Sequence, residues 1–245
     1  LKAQRDNGAD VPEEAIAAYK RTKNDIDPES ILEREKIVKH DVKARIEEFC
    51  NLAGYEHIHK GMTSRDLTEN IEQLQVLESL KHIQMLAVAT LSRLTDLAQQ
   101  YAEIPLTGRT HNVAAQITTM GKRFSNIAEE MILAFTTLEQ ISQTYPMRGL
   151  KGPVGTQQDL LDLLGDQAKV EEFEQNIASH LGFNNTMRSV GQVYPRSIDF
   201  NVISTLVQLS SGPANLAKTL RLMAGHDLVT EGFQEGQVGS SAMPH

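Results

Sequence analysis

The chain has 245 residues, a formal net charge of −8, 40% hydrophobic and 23% charged residues, one cysteine and no tryptophan. The acidic balance excludes the nucleic-acid backbone as the expected partner, although a small anion can still meet a locally basic site. A lone Cys50 excludes an internal disulfide, and no apolar run is long enough to cross a bilayer. With no signal-peptide pattern at "LKAQRDNGAD", a cytoplasmic protein with neither nucleic acid nor membrane as partner is expected.

Helical spacing begins in "DPESILEREKIVKHDVKARIEEFCNLAG", where Val38, Val42, Ile46, Phe49 and Leu52 recur every three or four residues. The pattern predicts one amphipathic segment, with Ser30 and Glu33 as a capping box, Gly54 as its stop and Cys50 as a structural thiol. Thr63, with Asp66 as capping partner, opens a long helix that carries Leu67, Ile71, Leu74, Leu77 and Leu80 toward Leu97. The most regular segment holds Ile117, Met120, Phe124, Ile127, Met131, Phe135, Leu138 and Ile141, and Pro146 ends it. Beyond the connection "MRGLKGPVGTQQD", Thr156 and Asp159 are candidate caps of a short helix. Val170, Phe173, Ile177 and Leu181 mark another helix, closed by Gly182. A last long stretch runs from Ser197, with Pro213 expected to kink or restart it. No stretch alternates with a period of two between turns. The fold class is therefore all-α, a bundle of long helices with little or no sheet.

Five polar clusters interrupt the helical pattern. "KHD", Lys39 to Asp41, reads first as a solvated face. In "HIHKGMTSRD", His57 and His59 lack further ligands at metal spacing, so no metal is expected. Thr63 and Ser64 there are caps, or donors for an anion at the helix N-terminus. His111 in "TGRTHNVAAQITT" has a polar setting that suits either a cap or a general acid or base. Gln192 in "GQVYPR" precedes a Tyr-Pro turn. "GQVGSSAMPH" puts Ser240 and Ser241 between glycines, on a loop free to open and close.

Taken in order, "HKGMTSRD", "GRTHNVAAQITTMGKRF", "KGPVGT", "VGQVYPR" and "GSSAMPH" resemble the fumarase/aspartase superfamily and, within it, the adenylosuccinate lyases. The resemblance runs from about Lys39 to His245. It implies β-elimination of fumarate from adenylosuccinate and from the succinyl-carboxamide ribotide of purine synthesis, without a cofactor. By the same resemblance, Ser240 is the general base and His111 the general acid. Lys39, His40, Asp41, His59, Thr63, Ser64, Gln192 and Ser241 bind a purine nucleotide substrate. Lys39 stands where the family pattern leads one to expect Arg, which keeps the charge but loses the bidentate fork. The superfamily also implies a homotetramer with a shared central bundle, each site drawing on three subunits.

The implied domains are an N-terminal helical domain over residues 1–61, with part of its first helix missing, and a central bundle over 62–245. The signature loop would continue past His245 and a C-terminal domain would follow, so this chain alone is expected to be inactive. Competing assignments are a carboxymuconate cycloisomerase and a non-catalytic helical scaffold.

Overall fold

Helices account for most of the molecule, and local residues set most of their ends. The computed structural model describes residues 1–230 and 232–243. In chain order the elements are α1 (Lys2–Asp6), α2 (Glu13–Thr22), α3 (Pro28–Val38), α4 (Asp41–Ala53) and α5 (Ser64–Gln100). They continue with β1 (Pro105–Thr110), β2 (Val113–Thr119), α6 (Met120–Thr144), α7 (Gln158–Leu164), α8 (Gln167–Leu181) and α9 (Ser197–Ala224). The all-α expectation holds, with one small antiparallel hairpin added to it. The chain divides into two units, Leu1–Leu80 with Ser142–Ile198, and Lys81–Ile141 with Asp199–His245.

In the first unit, the single segment expected around "KHD" is two helices. Lys39 turns left-handed (φ 54°) at the end of α3, its amide donating to Glu35 O. His40 then caps α4, its Nδ1 accepting from the Lys43 amide at 3.3 Å. Three consecutive polar residues give the chain an acceptor for an orphan helix amide, and the apolar period resumes in a second helix. Asp27 rather than Ser30 caps α3, accepting from the Glu29 amide. Ser30 donates instead to the buried Glu48 at 2.6 Å, and Arg34 reaches the same oxygen at 2.9 Å. The Ser30 hydroxyl first, then Arg34, hold the Glu48 carboxyl below its usual range against the opposing effect of burial.

Gln157, left-handed at φ 56°, takes the N-cap of α7 in place of Thr156, while Gly54 and Gly182 end α4 and α8 as expected. Leu150, Leu160, Leu164, Val170 and Phe173 form one core of this unit. A smaller one joins Ala18, Tyr19 and Ala53, with Phe49, half-buried Cys50 and Tyr55 against them. The Tyr19 hydroxyl donates to the Tyr55 carbonyl and lies 3.3 Å from Cys50 Sγ. Burial, with the Cys50 contact second, pushes its pKa up to about 12.

In the second unit, Ala87 and Leu94 of α5 pack with Met120, Phe124, Ile127, Ala128 and Met131 of α6 and Met223 of α9. Each large apolar side chain so buried contributes about 1.5–3 kcal/mol. Gly121 permits the close approach of α6 to the end of α5. A Cβ there would lie 2.3 Å from Ala98 O and 2.7 Å from Ala102 Cα. Ile117, in phase with the helix on sequence, belongs to β2 and is 86% exposed. Pro213 lies inside α9, which runs as one helix from Ser197 to Ala224.

Candidate active-site residues

The N-terminus of α5 organises the candidate residues of the first unit. The Thr63 amide donates to Asp66 Oδ2 at 2.8 Å, the reciprocal half of the expected capping box. The Thr63 hydroxyl is not drawn into that cap, and it accepts from Gln192 Nε2 at 3.5 Å. Ser64, half-buried, is the first residue of the helix, where backbone N–H groups and the helix dipole favour an anion.

His59 stands beside them with a positive φ of 65°, its Nε2 buried without a hydrogen-bond partner. Burial lowers its pKa below the usual value. A hydrogen bond with the Thr63 backbone and the charge of Asp66 oppose that shift, while His40 and Lys43 add to it. These mutual influences put His40, His59 and Thr63 in one neighbourhood. Because His40 Nδ1 accepts from the Lys43 amide, a neutral His40 carries its proton on Nε2. Lys39 and Asp41 are exposed, Asp41 paired with Arg45 at 3.2 Å.

A buried polar cluster adjoins the start of α5, and it was not legible in the sequence. Arg148 and Asp66 are both fully buried and meet at 2.5 Å. The same Asp66 carboxylate also accepts from the amides of Lys151 at 2.8 Å and Gly152 at 3.1 Å. Arg148 Nη2 donates to Gly191 O at 3.0 Å, next to Gln192. Nearby, Lys151 pairs with Glu174 at 2.7 Å. The one sequence signal was two basic residues inside the glycine-rich connection "MRGLKGPVGT", a place where solvated loops are common.

In the second unit, His111 is at the tip of the hairpin rather than at a helix start. His111 (φ 52°) and Asn112 (φ 63°) form its two-residue turn, and both being left-handed matches a type I′ turn. A bulge between Gly108 and Arg109 twists the ribbon just before the tip. Arg109 Nη1 donates to Asn112 O at 2.9 Å and steadies the turn. His111 opens onto a cleft of about 270 Å³ whose lining includes Arg109, Arg123 and His226. Those cationic or protonatable neighbours suit a site where negative charge collects, and Arg123 and His226 were not singled out from sequence.

The Ser240 hydroxyl accepts from the amides of Met243 at 3.3 Å and Ala242 at 3.4 Å. Donors aimed at an oxygen favour its anionic form. Ser241 is exposed, and no hydrogen bond among the described residues joins either serine to His111. Pro244 and His245, the end of the "GSSAMPH" motif, lie outside the described residues. Among the described residues no group of three or more His, Cys, Asp or Glu side chains is placed to hold a metal ion, and no helix is long and apolar enough to cross a membrane.

A mostly helical fold with polar clusters at helix starts, a hairpin tip and a serine loop defines the class. Residues 9–245 match the lyase family, and the chain belongs to it. Among characterised relatives, adenylosuccinate lyase of Saccharomyces cerevisiae is 34% identical over 215 residues, covering 86% of this chain and 45% of the relative. Two solved structures share the fold. A fumarate lyase from Mesorhizobium sp. BNC1 aligns with a TM-score of 0.78 at 22% identity, over 93% of this chain and 52% of the other. The β-carboxy-cis,cis-muconate cycloisomerase of Acinetobacter calcoaceticus sp. ADP1 aligns at 0.71 and 20% identity, over 91% and 52%. The chain spans about half the length of the curated relatives it matches.

Proposed function

We propose that the full-length protein is an adenylosuccinate lyase, cleaving a C–N bond to release fumarate. The observation that carries this reading is the polar group at the start of α5. There the Thr63 hydroxyl meets Gln192 beside the partnerless Nε2 of His59. A carboxylate or phosphate of the substrate suits the Gln192 amide, the hydroxyls of Thr63 and Ser64 and the helix N-terminus behind them. The named relatives support adenylosuccinate as the particular substrate, and the succinyl-carboxamide ribotide is proposed as a second from the motif resemblance alone.

In the proposed reaction a deprotonated Ser240 takes a proton from the carbon next to the succinyl carboxylate. The freed electron pair forms the double bond of fumarate, the C–N bond breaks, and His111 returns a proton to the leaving nitrogen. Negative charge builds on the carboxylate between these steps, and fixed N–H and hydroxyl donors stabilise it. The two amides on Ser240 Oγ and the basic cleft beside His111 support those assignments. Lys39, His40, Asp41 and Ser241 are proposed as further substrate contacts, in a cytoplasmic homotetramer that uses no cofactor.

The test is fumarate release from adenylosuccinate by the purified full-length protein, followed by the loss of ultraviolet absorbance of the substrate. Turnover of adenylosuccinate but not of carboxymuconate is expected. Turnover of carboxymuconate alone would assign the cycloisomerase, and no binding of either would assign a scaffold.

A further inference from the structure

The buried Arg148 has no place in the chemistry just described, yet its hydrogen bonds close a ring through the start of α5. Its guanidinium donates to Asp66 through Nη1 and to the Gly191 carbonyl through Nη2. Gly191 precedes Gln192, which donates to the Thr63 hydroxyl, and the Thr63 amide returns to Asp66. Four links thus join residues 63, 66, 148 and 191–192, which lie far apart in sequence. Arg148 is held in turn by Gln73 Oε1, which accepts from its amide at 2.6 Å, and its Nη1 also donates to Gly149 O at 3.1 Å.

We propose that Arg148 is a positioning residue. It fixes the spacing between Thr63 and Gln192, and so sets how tightly that pair grips the anionic end of the substrate. The identity of that substrate rests on the function proposed above; the positioning itself does not. A planar, two-pronged donor is needed because the two acceptors, a carboxylate and a backbone carbonyl, belong to different segments. Lysine keeps the charge but cannot span both. Gln192 also crosses to Thr63, and the Tyr194 amide donates to Glu69 Oε2 at 3.2 Å, but among the hydrogen bonds of the described residues it is Arg148 that holds Gly191 itself.

The first measurement is amide hydrogen exchange on the full-length protein. In the wild type, the amides of Thr63, Lys151 and Gly152 all donate to Asp66 and are expected to exchange together, much more slowly than the exposed Val154. Independent exchange of these amides overturns the proposal even if no variant folds. In Arg148→Lys, faster exchange of the Tyr194 amide, which donates to Glu69 Oε2 at 3.2 Å two residues beyond Gln192, is expected, with the amides of α8 unchanged. The kinetic arm uses adenylosuccinate with the same variant: KM should rise about tenfold or more while kcat changes less than threefold. A merely structural residue would lower the active fraction, reducing kcat without moving KM. Unchanged exchange at Tyr194, or unchanged KM in a folded variant, overturns the proposal. Absence of turnover by the wild type overturns the lyase reading instead, and the exchange result still decides the role of Arg148.

Discussion

Lys151 and Glu174 form an ion pair at 2.7 Å with side-chain exposures of 4% and 10%. The same carboxylate accepts from the Leu150 amide at 2.8 Å, so it locks the connection after α6 onto α8. Truncating one partner of such a pair strands a buried charge, which costs about 3–5 kcal/mol. Lys151→Met is therefore expected to lower the denaturation midpoint by that equivalent. The double variant Lys151→Met with Glu174→Leu should recover much of the loss, although the Leu150 amide then loses its acceptor. Equal unfolding of the single variant and the wild type would show that the pair contributes nothing.

Gly121 offers a second stability test, in the other unit. Its missing Cβ leaves room for Ala98 O and the Ala102 backbone, neither of which is a flexible side-chain tip. Gly121→Ala should destabilise the protein by about 1–3 kcal/mol through overpacking, despite the better helix propensity of alanine. Thermal unfolding measures this, and a rise in midpoint would contradict the packing described for α5 and α6.

Removing the proposed acid or base should separate chemistry from folding. Both His111→Asn and Ser240→Ala sit at exposed or half-buried positions, so circular dichroism should be unchanged. Turnover of adenylosuccinate by the full-length variants should fall by about a hundredfold to ten-thousandfold. Near-normal kcat in either variant removes that residue from its role.

Protonation of His59 should make the first unit sensitive to mild acid. Its folded pKa lies below the usual 6.5, chiefly because of burial. The unfolded chain therefore takes up a proton near pH 6.5 before the folded chain does, and stability falls as pH drops from that value toward the folded pKa. Above pH 6.5 the contribution is fully present. Comparing urea unfolding of the wild type with His59→Gln between pH 8 and 5 should show a smaller acid loss in the variant. Parallel curves would remove His59 as the cause.

Phe200, Ile203 and Val207 follow one another along α9 at helical spacing, 72%, 57% and 61% exposed. Apolar side chains in such a row are what a subunit interface covers. In the full-length protein, Ile203→Glu with Val207→Glu is expected to break the proposed tetramer into smaller species in sedimentation velocity. Retention of the wild-type sedimentation coefficient would place the interface elsewhere.

Much of this was written locally. The hydrophobic period announced α5, α6, α8 and α9, and the Thr63–Asp66 capping box, Gly54 and Gly182 are where their residue types require them. The ordered polar motifs named the superfamily before any contact was known. Where local spacing misled, a competing local preference had won. Ile117 is in phase with Met120, yet it extends in β2 because the His111–Asn112 turn folds the chain back on β1. His40 broke a continuous apolar period because its ring could cap α4.

Only tertiary structure decided the rest. The pairing of Asp66 with Arg148, of Lys151 with Glu174 and of Thr63 with Gln192 joins residues separated by 82, 23 and 129 positions. A helix repeats every few residues, so its period is visible in a short window of sequence. A buried charge has no such period: it needs whichever opposite charge or backbone donor the fold delivers, and nothing in the sequence around Asp66 distinguishes a solvated cap from the hub of a buried polar cluster.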